Sequence, residues 1–188
     1  MNIANKLTLL RIALIPLFLA CFYVEGFHQN YLYQSTSGTF SLTYANGLGL
    51  LIFSLAAATD WLDGYLARKL NLISDFGKFM DPLADKMLTT AAFLIFMDQG
   101  LLTSWMVFLI LTREFIVSGL RMSAAAKGVV IAAGFSGKFK TVLQFATVIV
   151  LLLYPQLTPL TLGLIYGMIL ATTLSGAEYV VKNVNVFK

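Results

Sequence analysis

Four aspartates lie in two closely spaced pairs in the stretch DWLDGYLARKLNLISDFGKFMDPLAD, which covers residues 60–85. Asp60 and Asp63 form the first pair and Asp81 and Asp85 form the second, and together they are four of only nine acidic residues in the chain. Clustered carboxylates supply the oxygen ligands that magnesium-like divalent cations prefer. A carboxylate can also act as a general base. This stretch is therefore the first candidate for chemistry.

Helical spacing places each acidic pair on one face of its own predicted helix. At 100° per residue, two carboxylates and two very small residues share an arc of about 100°: Asp60, Asp63, Gly64 and Ala67. On the next predicted helix, positions four residues apart form a second stripe: Gly77, Asp81 and Asp85. A short connection makes two such helices antiparallel neighbours. We therefore expect a polar pocket lined by four carboxylates.

Four ionised carboxylates repel one another, and burying even one near a bilayer is costly unless another group compensates. Two divalent cations would balance the four charges, and a cation pair about 3.5–4 Å apart can clamp both oxygens of a phosphoryl displacement. The guanidinium group of Arg68 would add paired hydrogen-bond donors for a phosphate group. Spacing alone leaves two alternatives open, namely an ion or proton path in a transporter and structural salt bridges to Lys69, Lys78 and Lys86.

The chain as a whole has the composition of an integral membrane protein. Of 188 residues, 59% are hydrophobic and 12% are charged, whereas about a quarter are charged in a typical soluble domain. Apolar stretches recur along the whole length, so we predict a single membrane domain over residues 1–188. The net charge of +4 is attributed to membrane topology, and no nucleic-acid partner is expected.

Six stretches are long enough to cross a membrane, since a transmembrane helix needs about 20 mainly apolar residues. They run from Leu7 to Tyr23, Leu42 to Arg68, Gly77 to Met97, Leu101 to Ala126, Lys140 to Tyr154, and Leu160 to Val181. We therefore predict an all-α fold with six transmembrane helices. The polar and aromatic segment 26–40 is predicted to be an interfacial loop.

The positions of lysine and arginine predict the orientation of these helices. The loops at 25–41, 98–101 and 155–159 contain no lysine or arginine. Short loops that carry basic residues stay in the cytoplasm. Both termini and the acidic pocket are therefore expected on the cytoplasmic side of the cell membrane.

Four basic residues form a second candidate site. Arg113 and Arg121 are eight positions apart, which turns them by about 80° and leaves them on one side of the fourth predicted helix. Lys138 and Lys140 open the fifth predicted helix, although Lys138 also suits a simple anchor at the inner membrane face. An ionised residue as deep as Arg113, beside Glu114, is a functional candidate. Such a group of cations suits an acceptor that bears a phosphate.

Three polar residues at the start of the first predicted helix are secondary candidates. Asn5, Thr8 and Arg11 step by three and form a polar side. They either form an interfacial face or close over the diphosphate or the lipid phosphates, since a helix N-terminus favours anions.

Residues 60–85 match the pattern D-x2-D-G-x2-A-R-x8-G-x3-D-x3-D at every fixed position. This pattern resembles the signature of the CDP-alcohol phosphotransferase family. The resemblance implies a six-helix membrane enzyme that transfers a phosphatidyl group from CDP-diacylglycerol to an alcohol and releases CMP, with two divalent cations, Mg²⁺ or Mn²⁺. It disfavours the transporter, and it also implies a homodimer.

The resemblance further implies a role for each residue of the motif. Asp60, Asp63 and Asp81 would bind metal, and Asp85 would bind the second metal ion and act as the general base. The CDP moiety would be held by two charged residues, Asp63 and Arg68, and by three small residues, Gly64, Ala67 and Gly77.

The acceptor is read from two other stretches. Residues 2–16 and 112–144 resemble members of the family whose acceptor is sn-glycerol 3-phosphate. On this resemblance, the acceptor phosphate would be held by the basic residues of the second candidate site: Arg113, Arg121, Lys138 and Lys140. A relative that uses inositol phosphate, serine or phosphatidylglycerol is the alternative, but an uncharged acceptor would leave these cations without a partner.

Overall fold

The computed structural model of the chain describes residues 3–34, 41–70, 75–128 and 134–183. The side chains of residues 3–5, 28, 60–70, 75–79, 81, 82, 85 and 126 lie outside this description. Helices dominate the described residues. The elements are α1 (Ile3–Tyr23), α2 (Glu25–Gln29), β1 (Tyr31–Gln34), β2 (Ser41–Thr43), α3 (Tyr44–Leu70), α4 (Asp75–Asp98), α5 (Ser104–Ala126), α6 (Phe135–Leu153) and α7 (Pro159–Asn183).

The six long helices correspond to the six predicted segments. Among the described residues, three segments are long and apolar enough to span a membrane: Lys6–Tyr23, Phe135–Leu153 and Pro159–Asn183. The chain is therefore a helical membrane protein. The crossing of the membrane by α3, α4 and α5 stays a prediction.

The segment between the first two long helices differs from the predicted loop over residues 26–40. Its described part contains the short helix α2 and the strand β1, which pairs antiparallel with β2. Tyr31 is paired with Thr43, and Gln34 with Ser41. Aromatic and β-branched residues favour strands, so a two-stranded sheet is added to the otherwise all-α fold.

The chain divides into two compact units. The first unit comprises Met1–Ile95 and Ile149–Pro155, and the second comprises Phe96–Val148 and Gln156–Lys188. The single domain over residues 1–188 stays a prediction. The acidic motif belongs to the first unit and the predicted acceptor residues belong to the second.

In the first unit, α1 packs against α3 through aromatic side chains. The ring centroid of Phe18 lies 5.2 Å from that of Phe22 and 6.3 Å from that of Phe53. Gly49 gives Phe22 room, because a Cβ at this position would lie 2.7 Å from the Phe22 Cζ atom. Since Phe22 meets Gly49 and Phe18 meets Phe53, the two helices run antiparallel.

In the second unit, α5 packs against α7. Buried residues recur at three- and four-residue intervals along α7 and define one buried face: Thr161, Ile165, Met168, Ile169, Thr172, Ser175 and Tyr179. The Thr172 Oγ1 donates to the Met168 carbonyl at 2.7 Å, and the Ser175 Oγ donates to the Thr172 carbonyl at 3.0 Å. These hydroxyl groups are thus satisfied within their own helix, which permits them on an apolar face.

Candidate active site

The acidic motif occupies the end of α3 and the beginning of α4. All its fixed positions lie on continuous helical backbone: Asp60, Asp63, Gly64, Ala67 and Arg68 on α3, and Gly77, Asp81 and Asp85 on α4. The helical placement of the motif is therefore as predicted. The side chains at these positions lie outside the described residues, so their individual roles stay predictions.

The donor set of the motif fits divalent cations. Asp60 and Asp63 are three positions apart, and Asp81 and Asp85 are four apart, so each pair shares a helix face. Helix α3 ends at residue 70 and α4 begins at residue 75, and a link of that length keeps the two ends within about 18 Å. Carboxylate oxygens are the ligands that Mg²⁺ prefers. Among the side chains that the structure describes, no other group of three or more histidine, cysteine or acidic residues could hold a metal ion.

Two of the three secondary candidates on α1 are fully buried. Thr8 and Arg11 each have an exposed fraction of 0%, whereas the Asn5 side chain lies outside the described residues. A buried guanidinium group in a membrane helix requires a compensating negative charge or polar partner. This burial favours a role inside the protein over the alternative of an interfacial face.

The antiparallel register of α1 and α3 relates these residues to the acidic motif. Each step toward the start of α1 is matched by a step toward the end of α3, because both helices rise 1.5 Å per residue. Continued from the aromatic contacts described above, this register brings Arg11 level with Asp60 and Thr8 level with Asp63. The start of α1 is thus expected beside the first acidic pair.

Two basic residues of the second unit, Arg113 and Lys140, are joined by Glu114. The Arg113 Nη1 lies 3.5 Å from the Glu114 Oε1, and the Lys140 Nζ of α6 donates a hydrogen bond to the same oxygen. The side chains of Lys140 and Glu114 are 4% and 13% exposed. Glu114 therefore links α5 to α6 and balances part of the positive charge of this group.

Both arginines of α5 contact α7. The Arg113 Cγ lies so close to Gly176 that a Cβ at Gly176 would be 2.7 Å away. The guanidinium carbon of Arg121 lies 5.4 Å from the ring centroid of Tyr179, which is a cation–π distance. The two arginines therefore lie on one side of α5, as their spacing predicts. We call Arg113, Glu114, Arg121, Lys140 and Tyr179 the basic cluster.

Several buried polar atoms in this unit have no hydrogen-bond partner within the part of the chain that the structure describes: the Nε of Arg113, the Nε of Arg121, the Nε2 of Gln144 and the Oη of Tyr179. A buried donor left unpaired costs about 1–3 kcal/mol. Guanidinium and amide groups both donate to phosphate oxygens. The basic cluster therefore has the chemistry of an anion site.

The structure separates the two lysines that the sequence groups together. Lys140 is buried, with 3% exposure, whereas Lys138 is exposed. Helix α6 begins at Phe135 and not at the predicted Lys140, so both lysines lie inside the helix, about 200° apart around its axis. The contacts among the described residues bring Arg113, Arg121 and Lys140 together but not Lys138.

Sequence reasoning missed three residues of this region. Gln144 lies four positions after Lys140 on the same helix face, and this spacing could have revealed it. Gly176 and Tyr179 carry no charge and follow no motif, so nothing in the sequence marked them. Their contacts depend on how α5 packs against α7.

A family model described as CDP-alcohol phosphatidyltransferase matches residues 1–176, which include the acidic motif and the basic residues of α5 and α6. The chain belongs to the CDP-alcohol phosphatidyltransferase family. The family resemblance of residues 60–85 is confirmed, and so is the prediction that the protein is a transferase enzyme.

Individual CDP-alcohol phosphatidyltransferases match the chain over most of its length. The CDP-diacylglycerol–glycerol-3-phosphate 3-phosphatidyltransferase of Bacillus subtilis (strain 168) is 43% identical over 187 residues, which cover 97% of this chain and 95% of the relative. A probable phosphatidylglycerophosphate synthase of Mycobacterium tuberculosis (strain H37Rv) is 38% identical, with coverage of 96% and 81%. A CDP-diacylglycerol–glycerol-3-phosphate 3-phosphatidyltransferase of Rickettsia bellii is 38% identical, with coverage of 81% and 75%.

Proposed function

We propose that the protein transfers the phosphatidyl group of CDP-diacylglycerol to sn-glycerol 3-phosphate, giving phosphatidylglycerophosphate and CMP in phospholipid biosynthesis. The names of the relatives from Bacillus subtilis and Rickettsia bellii contain both substrates. The observation that carries the proposal for this chain is the largely buried basic cluster, because an acceptor that already bears a phosphate needs such a site.

In the proposed reaction, the acceptor hydroxyl attacks the phosphorus that bears the diacylglycerol. The bond from this phosphorus to the oxygen that bridges to CMP breaks, and CMP leaves with that oxygen. Asp85 accepts the proton of the attacking hydroxyl as general base. Asp85 suits this role because it lies four residues after Asp81, on the face of α4 that carries the motif.

The acidic motif would hold two divalent cations, Mg²⁺ or Mn²⁺, through four residues: Asp60, Asp63, Asp81 and Asp85. Bound divalent cations neutralise charge on a diphosphate and make its phosphorus more electrophilic. The CDP moiety would be bound by residues of the same two helices: Asp63, Gly64, Ala67, Arg68 and Gly77. The small residues leave room for the nucleotide beside the backbone, and Arg68 offers paired donors to a phosphate group.

The acceptor phosphate would bind to the three cations of the basic cluster, Arg113, Arg121 and Lys140. Arg113 and Arg121 offer planar donor groups that match phosphate geometry, and Lys140 adds a third positive charge. Glu114 accepts hydrogen bonds from Arg113 and Lys140, so it holds both side chains in place for the ligand. Lys138 remains the fourth candidate, although its exposure suits an anchor equally well.

We further propose that all six long helices cross the bilayer, with both termini and the polar pocket on the cytoplasmic side. The absence of lysine and arginine from the three loops at 25–41, 98–101 and 155–159 supports this orientation. Thr8 and Arg11 would line the pocket from α1, together with Asn5, because the register of α1 and α3 carries them toward the first acidic pair. A homodimer is proposed on family similarity.

An acceptor assay tests the function. Purified protein in detergent micelles is incubated with CDP-diacylglycerol, Mg²⁺ and one acceptor at a time, and CMP release is measured. We expect release with sn-glycerol 3-phosphate and none with inositol phosphate, serine or phosphatidylglycerol. Release with inositol phosphate instead would overturn the acceptor assignment, and no release with any acceptor would overturn the proposed reaction. Protein with Asp85→Asn, prepared in parallel, controls for contaminating enzymes.

A further inference from the structure

The last part of α7 contacts both arginines of the basic cluster without carrying a charge at the contact points. A Cβ at Gly176 would lie 2.7 Å from the Cγ, 3.6 Å from the Cβ and 3.9 Å from the Cδ of Arg113. These atoms form the base of the side chain and not its mobile end. The Arg113 side chain therefore crosses α7 at Gly176, where the helix has no side chain.

Tyr179 lies three positions after Gly176, so the two residues share a face of α7. Its ring lies under the Arg121 guanidinium group at 5.4 Å, and the residue is only 8% exposed. A buried aromatic ring stabilises a cation above its face. The ring therefore restricts the position of the Arg121 guanidinium group.

The two contacts place the side chains of Arg113 and Arg121 at neighbouring points of α7. Arg113 and Arg121 are eight residues apart, which separates their Cα atoms by about 12 Å along α5. Their contact points on α7 are three residues apart, or about 4.5 Å along that helix. Two arginines that contact points this close on α7 are well placed to bind one doubly charged phosphate.

We propose that Gly176 and Tyr179 are positioning residues that set where Arg113 and Arg121 bind the acceptor phosphate. Gly176 acts through the absence of a side chain and Tyr179 acts through its ring. Neither residue touches the acceptor, and each works through one arginine. The inference rests on the proposed function of the basic cluster.

The first test compares alanine at two glycines of α7. A Cβ at Gly163 would meet no atom of the described residues within 4 Å, so Gly163→Ala is matched to Gly176→Ala in helix and in residue type. A displacement of about 1 Å at a binding group can cost about a hundredfold in activity. We expect Gly176→Ala to raise the KM for sn-glycerol 3-phosphate by about ten- to hundredfold. The kcat and the KM for CDP-diacylglycerol should stay unchanged, and Gly163→Ala should change none of the three.

The second test asks whether Gly176 acts through Arg113. In a double-mutant cycle, residues that act through one contact are not additive. We expect Gly176→Ala to have no further effect on the acceptor KM once Arg113→Ala is present. If the two effects multiply instead, or if Gly176→Ala behaves like Gly163→Ala, the positioning role of Gly176 is wrong. Should Gly176→Ala fail to fold alone, recovery of folding in the double variant supports the contact and continued misfolding contradicts it.

The third test separates the ring of Tyr179 from its hydroxyl group. Tyr179→Phe keeps the ring and should keep the acceptor KM, whereas Tyr179→Leu should raise it. An equal rise in both variants would mean that the hydroxyl group itself contacts the acceptor, and the positioning role would be overturned.

Thermal unfolding distinguishes failure of the inference from failure of the proposed function. Without any substrate, Gly176→Ala should lower the Tm when Arg113 is present and not when Arg113→Ala is present. If wild-type protein releases no CMP with sn-glycerol 3-phosphate, the proposed function fails, while this coupling still reports on the Arg113 contact. If transfer occurs but the coupling is absent, only the inference fails.

Discussion

The acidic motif and the basic cluster bring charges together in different ways. The motif lies within residues 60–85 on two consecutive helices, where helical spacing alone places each acidic pair on one face of its helix. The basic cluster extends from residue 113 to residue 179 and draws on α5, α6 and α7, so tertiary packing has to assemble it. The first arrangement is local and the second is not.

The two regions also differ in how their charge is balanced. The basic cluster contains its own counter-charge, because Glu114 accepts hydrogen bonds from Arg113 and Lys140. The acidic motif gathers four carboxylates, and its proposed counter-charge comes from bound cations. Removing cations should therefore affect the motif, whereas removing Glu114 should affect the cluster. Substitutions in the motif should lower kcat, and substitutions in the cluster should raise the acceptor KM.

Chelation should have the largest effect, because the proposed cations neutralise the diphosphate that is attacked. With excess EDTA, CMP release should fall to the background of the assay, and added Mg²⁺ or Mn²⁺ should restore it. Variants in which a charged residue of the basic cluster is replaced by glutamine or asparagine should lose their remaining CMP release with EDTA as the wild type does. Undiminished release after exhaustive chelation would remove the metal role from the acidic motif.

Asp85→Asn should come next, since general-base catalysis contributes about 10²- to 10⁴-fold to a rate. We expect kcat to fall by about that factor while the acceptor KM changes little. Asp98→Asn is a matched control, because Asp98 lies on the same helix but is exposed at its other end. Near-normal turnover in the Asp85 variant would exclude Asp85 as the base.

Glu114→Gln should destabilise the protein, because it leaves the buried Lys140 without its carboxylate. Breaking a buried ion pair from one side costs about 3–5 kcal/mol, measured as the free energy of unfolding in mixed micelles. Glu178→Gln is the control, since Glu178 pairs with Lys182 in the exposed i,i+4 arrangement at 2.5 Å, where water screens the charges. Equal effects in the two variants would mean that Glu114 is not the counter-charge of the basic cluster.

The sequence predicts the local features of this fold well. Apolar length predicts the six long helices, and residue spacing places the acidic pairs and puts Arg113 and Arg121 on one side of α5. The helical period is a property of neighbouring residues, so these features need no knowledge of the packing. The polar side that Thr8 and Arg11 share was also predicted from spacing, but their burial was not, because the sequence left an interfacial face open.

The features that depend on distant partners are not predictable in this way. The pairing of β1 with β2 depends on two short segments separated by residues 35–40. The early start of α6 at Phe135 was hidden by Gly134 and Gly137, although a helix tolerates glycine at a cost of about 1 kcal/mol. The contacts of Gly176 and Tyr179 join α7 to α5, and α6 separates these two helices along the chain. For the strand pairing and for the contacts of Gly176 and Tyr179, the deciding interaction joins positions that no local pattern relates.

The smallest predicted effect concerns Lys138, which the sequence groups with Lys140 and the structure separates from it. A buried hydrogen bond to a charged group contributes about 1.5–3 kcal/mol, so Lys140→Ala should raise the acceptor KM by about tenfold or more. An exposed charge contributes at most about 1 kcal/mol, so Lys138→Ala should raise it by less than about fivefold.

Two conditions sharpen this last comparison. Lys140→Ala is measured with Glu114→Gln in the same protein, so that no carboxylate is left unpaired. Both lysine variants are measured at low and high salt, because salt screens an exposed charge far more than a buried one. Any effect of Lys138→Ala should therefore disappear at high salt, while that of Lys140→Ala persists. If Lys138→Ala instead gives the larger rise at high salt, the phosphate binds on the exposed side of α6, and the ion pair of Lys140 with Glu114 only stabilises the fold.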